Sequence, residues 1–103
     1  MLAQSSEQRA IGLSQHQILH TDEAMLFLFE QLGLYSFWMK NMKFPIDIFW
    51  LDHDKRVVFI QEHAEPTDYP NTYTPDQPAL YVLETVAGFA EQYDVRLGSQ
   101  FTW

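Results

Sequence analysis

Four polar side chains in this sequence have the type and the setting to do chemistry: Lys40, Asn41, Asp47 and Glu84. Lys40 and Asn41 follow the run Tyr35-Ser36-Phe37-Trp38-Met39. Asp47 stands inside Ile46-Asp47-Ile48-Phe49-Trp50-Leu51, and Glu84 closes Val82-Leu83-Glu84. Charged groups are costly to bury without partners, so such groups amid aliphatic and aromatic neighbours must each meet something specific. On a strand, Asp47 shares one face with Phe49 and Leu51, while Ile46, Ile48 and Trp50 share the other. Both faces are apolar, which predicts a buried carboxylate served by a cation or by several donors. Lys40, on the preceding strand, is the expected cation, giving a direct Lys40–Asp47 pair. Glu84 lies just ahead of the last predicted helix, where its charge would suit the positive end of the helix dipole. Three uses fit these groups. The first is an internal ion pair with a helix-start carboxylate. The second is a ligand site rimmed by Trp38, Lys40, Asn41, Asp47 and Glu84. The third is hydrolysis with Asp47 and Glu84 as acid and base, which requires a defined carboxyl separation. There is no nucleophile elbow and no Ser-His-Asp order.

Other residues carry weaker signals. Tyr35, Trp38, Trp50, Tyr69, Tyr73 and Tyr81 could form a stacking platform for sugar rings, but large aromatics are by default core, and Trp38 and Trp50 are expected there. Tyr69 and Tyr73 fall in a proline-rich stretch, where pinning a long loop is the favoured role over closing a lid. His16 and His20 are four apart, a metal-ligand spacing if helical, but their segment reads as loop. His53 sits in a turn, and His63 has no diagnostic partner spacing. No metal and no cofactor is expected.

The elements that must position these groups follow from the apolar pattern. Ser5 with Gln8 reads as a capping box opening a helix over 6–13. Strands are expected over 25–29, 35–40, 46–51, 56–61, 79–83 and 100–103. Asp52-His53-Asp54-Lys55 forms a hairpin turn. Residues 62–78 make a long loop holding four prolines. Val86, Phe89, Ala90 and Tyr93 at i, i+3, i+4 and i+7 predict a second helix over 85–93, with Gly88 inside it. The expected fold is mainly β (α+β): a compact antiparallel β-sandwich or partly closed barrel with two short helices. Most connections are too short for parallel crossovers.

Composition bounds the rest. The chain has 103 residues, an apolar fraction of 47% and an aromatic fraction of 16%, which fits a single domain with a packed core. Fourteen acidic against six basic side chains leave a net charge of −8. That field repels polyanions, and the basic residues form no run, so nucleic acid is not an expected partner. The absence of cysteine excludes disulfides, thiol catalysis and cysteine-bound zinc. No apolar run is long enough to span a membrane, and Met1 to Ala10 does not read as a signal peptide.

Three blocks together resemble the domain of unknown function 192 family: Phe37-Trp38-Met39-Lys40-Asn41, then Pro45-Ile46-Asp47-Ile48-Phe49, then Val82-Leu83-Glu84 with Ala87-Gly88. Residues 9–13 and 24–29 are similar to its earlier blocks, so the likeness spans nearly 1–103. It implies a small β-rich fold in bacteria and archaea, often exported, hence an envelope or periplasmic setting, and no assigned activity. Ser14, His16 and Ala24 depart from the family pattern. The family opens with a strand before the first helix, and only Leu2-Ala3 stands there. A missing strand would expose an edge and open a route to a homodimer. The leading expectation is a non-catalytic module that binds a small molecule, glycan or envelope partner through the Lys/Asn/Asp/Glu cluster. The alternatives are a hydrolase with paired carboxylates and a purely structural or interaction module.

Overall fold

A computed structural model describes residues 1–103. Seven strands and two short helices follow one another along the chain: β1 (Leu2–Ala3), α1 (Ser6–Ile11), β2 (Ala24–Gly33), β3 (Phe37–Trp38), β4 (Ile46–Leu51), β5 (Val57–Ala64), β6 (Thr72–Tyr73), β7 (Ala79–Val86) and α2 (Phe89–Gln92). Five strands form one sheet in the order β1-β2-β7-β4-β5, and β3 pairs with β6 in a separate two-stranded sheet. The chain is mainly β, as expected, and its sheets are not closed into a barrel. No helix is long and apolar enough to cross a membrane.

β4 lies between β7 and β5, and all six of its residues are buried. Two apolar layers grow from its alternation. Ile46, Ile48 and Trp50 join Phe27 and Val82 under Leu13, Leu19 and Met39 from the loops. Phe49 and Leu51 pack on the other face with Val57 and Ala90, flanked by Phe89, Val95 and Phe101. Fully burying side chains of this size contributes roughly 2–3 kcal/mol each. The β4–β5 hairpin is held by its turn: one Asp52 carboxylate oxygen accepts from the amides of Asp54 at 2.9 Å and Arg56 at 3.0 Å.

Sequence-adjacent strands pair less than the turns suggested. β2 bonds antiparallel to β7, not to β3, and β1 runs parallel to β2 with Leu2 opposite Leu26. The crossover for that pair is α1 and the loop after it. Several boundaries also move. β2 continues through the expected turn to Gly33, and only Phe37–Trp38 of the second expected strand is extended. The expected last strand is a single bridge between Arg56 and Gln100. The expected helix over 85–93 shrinks to Phe89–Gln92, because Thr85 and Val86 stay in β7 against Asp47 and Ile46. Gly88 is not interior to that helix; it caps it in the left-handed region at φ 92°, a conformation open to glycine at little cost. α1 is capped as read, with the Ser5 side chain accepting from the Gln8 amide and the Gln8 side chain accepting from the Ser5 amide.

The long loop is partly structured by a single 3-10 turn at Pro66–Asp68 and by β6. Tyr73 donates its hydroxyl hydrogen bond to Asp68, which ties the loop to itself. Burial, and then that bond, push the Tyr73 phenol upward, while the same bond holds the Asp68 carboxyl below its ordinary range.

Candidate functional site

Register decides where each polar side chain goes. In the β4–β7 pair, Asp47 is opposite Thr85 and Ile48 is opposite Glu84. Directly opposed residues share a face, and neighbours along a strand take opposite faces. Glu84 therefore leaves the sheet on the side of Ile48 and Met25, while Asp47 leaves it on the side of Thr85 and Phe49. The two carboxyl groups are separated by the sheet itself.

Asp47 is fully buried, as its apolar surroundings predicted, but its partners are not a cation. One carboxylate oxygen accepts from the His63 amide and the other from the Ala90 amide, both at 2.9 Å. The first bond fills a β-bulge, where the β4–β5 register shifts between Ile46 and Ile48 and His63 takes φ 52°. The second caps α2 from outside. Gly88 has no side chain to offer, so a carboxylate from β4 supplies the acceptor that a helix N-terminus requires. The role expected of Glu84 at the helix start is thus performed by Asp47. The expected Lys40–Asp47 pair does not form. Lys40 is exposed, and its ammonium lies 5.5 Å from the centroid of the Trp38 ring.

Glu84 is only 5% exposed, yet no hydrogen bond in the structure satisfies its carboxyl. Removal from water without a compensating partner pushes it up to about 8 from an ordinary 4.5, so it is mostly protonated at neutral pH. It borders a cavity of about 690 Å³ that also reaches Arg9, Phe27, Phe29, Phe37, Trp38, Lys40 and Asn41. The size is within the usual range for small-molecule sites. Phe27 is buried, Phe29 and Phe37 are half-buried, and Trp38, Lys40 and Asn41 are exposed at the mouth. The cavity is therefore aromatic where Phe27, Phe29 and Phe37 line it, with one nearly buried carboxyl group, and polar where the exposed Ser6, Gln15, Ser36, Lys40 and Asn41 line it.

Four of the five residues expected at a site, Trp38, Lys40, Asn41 and Glu84, border this cavity. Asp47 does not. Trp38 and Trp50, both expected in the core, separate: Trp50 is fully buried with its indole N–H donating to the Tyr35 carbonyl at 2.8 Å, and Trp38 is 46% exposed. Tyr69 packs on Trp38 with ring centroids 5.1 Å apart. Asn41 turns the chain at φ 61°, which asparagine tolerates better than most residues.

Arg9 was not singled out by its spacing, yet it closes one wall. Its guanidinium donates to the Leu28 carbonyl at 2.8 Å and the Gln4 carbonyl at 2.6 Å, and lies 4.9 Å from the Phe29 centroid. It clips α1 to β2. The sequence signal for it was the single basic residue on the capped helix, which nothing tied to Phe29. Of the histidines, His16 is half-buried and His20 exposed on an irregular segment. No three His, Asp or Glu side chains converge in the arrangement a metal ion needs.

The comparisons agree with the fold. A crystal structure of a protein of unknown function from Novosphingobium aromaticivorans superposes with a TM-score of 0.93 at 33% identity, covering 99% of this chain and 72% of that one. A second, from Sinorhizobium meliloti and described as a "putative transcription regulator", superposes with a TM-score of 0.91 at 31% identity, covering 96% of this chain and 76% of that one. No curated protein matches. The family model described as "Uncharacterized ACR, COG1430" matches residues 1–103, and the chain belongs to that family, DUF192.

Proposed function

We propose that this protein is a non-catalytic binding module that holds a small molecule in the cavity above Glu84. One observation carries the reading: a nearly buried carboxyl group without a protein partner borders an open, aromatic-walled cavity. The Glu84 carboxyl oxygens have no protein hydrogen bond and keep a small exposure to the cavity, where a ligand's polar atom can meet them. Trp38 supplies an apolar contact face at the mouth, and Lys40 and Asn41 supply rim polarity. A glycan falls within the class, since a protonated carboxyl both donates to and accepts from hydroxyl groups.

Paired-carboxylate hydrolysis is disfavoured by geometry. The second carboxylate, Asp47, faces away from the cavity and has both oxygens engaged. A nucleic-acid partner is disfavoured by charge, and the "putative transcription regulator" description belongs to the relative. With 14 acidic against 6 basic side chains, the net field opposes the phosphate contacts that nucleic-acid binding demands.

The test is a thermal-shift screen of small molecules against the wild type and the Glu84→Gln, Trp38→Ala and Asp47→Asn variants. Hits are expected to weaken in the first two and to persist in the third. Hits that ignore both Glu84 and Trp38 would overturn the reading.

A further inference from the structure

We propose that the ligand of this cavity is a small zwitterion, an amino acid or a betaine, whose ammonium end enters to Glu84 and whose carboxylate end stays at the rim with Lys40. The inference rests on the binding role proposed above and names its ligand class.

The depth of the cavity argues for a cation over a sugar. A sugar ring seated against Phe27, Phe29 and Phe37 would set hydroxyl groups on faces that bond none of them, each a costly loss, while the exposed polar side chains Ser6, Gln15 and Ser36 stand at the mouth with Lys40 and Asn41. A quaternary ammonium has no N–H to leave unpaired, a primary one can give its donors to the two Glu84 carboxylate oxygens, and both are attracted by aromatic faces. The walls already attract cations from within the chain: the Arg9 guanidinium lies 4.9 Å from the Phe29 centroid and the Lys40 ammonium 5.5 Å from that of Trp38.

The rim argues that the cation carries an anion with it. Arg9 and Lys40 both border the cavity and would oppose a purely cationic guest. Arg9 is committed to two carbonyls and reaches Glu30 at 3.9 Å. Lys40 has no carboxylate partner and is exposed at the mouth, so it can meet the ligand's negative end.

Binding would move a proton. Glu84 is mostly protonated when the cavity holds no cation, and an arriving ammonium stabilises the carboxylate and expels the proton to solvent. Tyr35, Arg9 and Lys40 are the other titratable groups bordering the cavity. The strand residues paired with Glu84, Met25 and Ile48, do not titrate. Burial holds the carboxyl up at about 8, so binding at pH 7 releases protons to the buffer.

The experiment is calorimetric titration at pH 7 in two buffers of different ionisation enthalpy. The probes are the common amino acids, glycine betaine and carnitine, with choline as a cation alone and glucose as a neutral polyol. Expected results are binding of at least one zwitterion with net proton release, loss of that release in the folded Glu84→Gln variant, and at least tenfold weaker binding of choline. In a folded Lys40→Met variant, a change at an exposed side chain, the gap between zwitterion and choline should narrow. Silence from every zwitterion overturns the proposal. Glucose binding without proton release, with the zwitterions silent, overturns the ligand class and leaves the cavity reading standing. Silence here together with a Glu84-indifferent thermal-shift screen removes both.

Discussion

Glu84 and Asp47 stand on hydrogen-bonded strands one residue out of register, so their carboxyl groups emerge on opposite faces of the sheet. One is held by two backbone amides and the other by none. They cannot share a proton or a substrate, and their substitution effects should separate.

Asp47 is structural. Asp47→Ala leaves two buried amides without acceptors and should cost about 3 kcal/mol, since a charge-assisted bond is worth roughly 1.5–3 kcal/mol. Asp47→Asn retains one acceptor oxygen and should lose about half as much. Urea denaturation measures both. An Asp47→Ala variant as stable as the wild type would show that the bulge at His63 and the start of α2 do not depend on this carboxylate.

Glu84 should make stability fall with rising pH. Its carboxyl is raised in the folded state from 4.5 to about 8. Below 4.5 it is protonated whether folded or unfolded, and there is no penalty. Between 4.5 and 8 the unfolded chain releases the proton and the folded chain keeps it, so folding loses about 1.4 kcal/mol per pH unit. Above 8 the loss levels off. Glu84→Gln removes this dependence. The variant's advantage over the wild type should grow from pH 5 to pH 9 and reach roughly 4 kcal/mol. Urea midpoints at those pH values give the difference, and a constant offset would contradict the unpartnered carboxyl.

Gly88→Ala separates two readings by its sign. Inside a helix the change would stabilise by about 1 kcal/mol. At φ 92° it should destabilise by about 1 kcal/mol. A Cβ placed there has nothing within 4 Å, so the cost is purely conformational. Thermal denaturation reads the sign directly.

Trp38 belongs to the surface more than to the core. It is 46% exposed and packs on Tyr69, itself 43% exposed. Trp38→Ala should change stability by less than about 1 kcal/mol, a small effect for the loss of an indole. The equivalent change at fully buried Trp50 should cost about 3–5 kcal/mol. Chemical denaturation of the two variants provides the comparison.

Local pattern was enough for some of this molecule. The capping box at Ser5 and Gln8, the strand over 46–51 and the turn at Asp52 depend on neighbours within a few residues, and they form as read. The family blocks and the mainly β class were legible for the same reason. The burial of Asp47 followed from apolar neighbours on both sides of its strand. Its partners did not follow, because His63 and Ala90 are backbone donors that no side-chain pattern announces.

The residue types and alternation of this chain by themselves determined that it folds as a β-rich domain with a charged group sealed among aromatics, and which side chains could border a site. Only the tertiary structure decided that β7 runs on to Val86 and in which register it meets β4. A shift of one residue in that pairing would exchange the faces of Glu84 and its neighbours. Long-range register therefore sends Glu84 into a cavity with Trp38 and Lys40 and sends Asp47 to the amides of the opposite face. Such pairing is set by packing across the whole sheet and cannot be read from either strand alone.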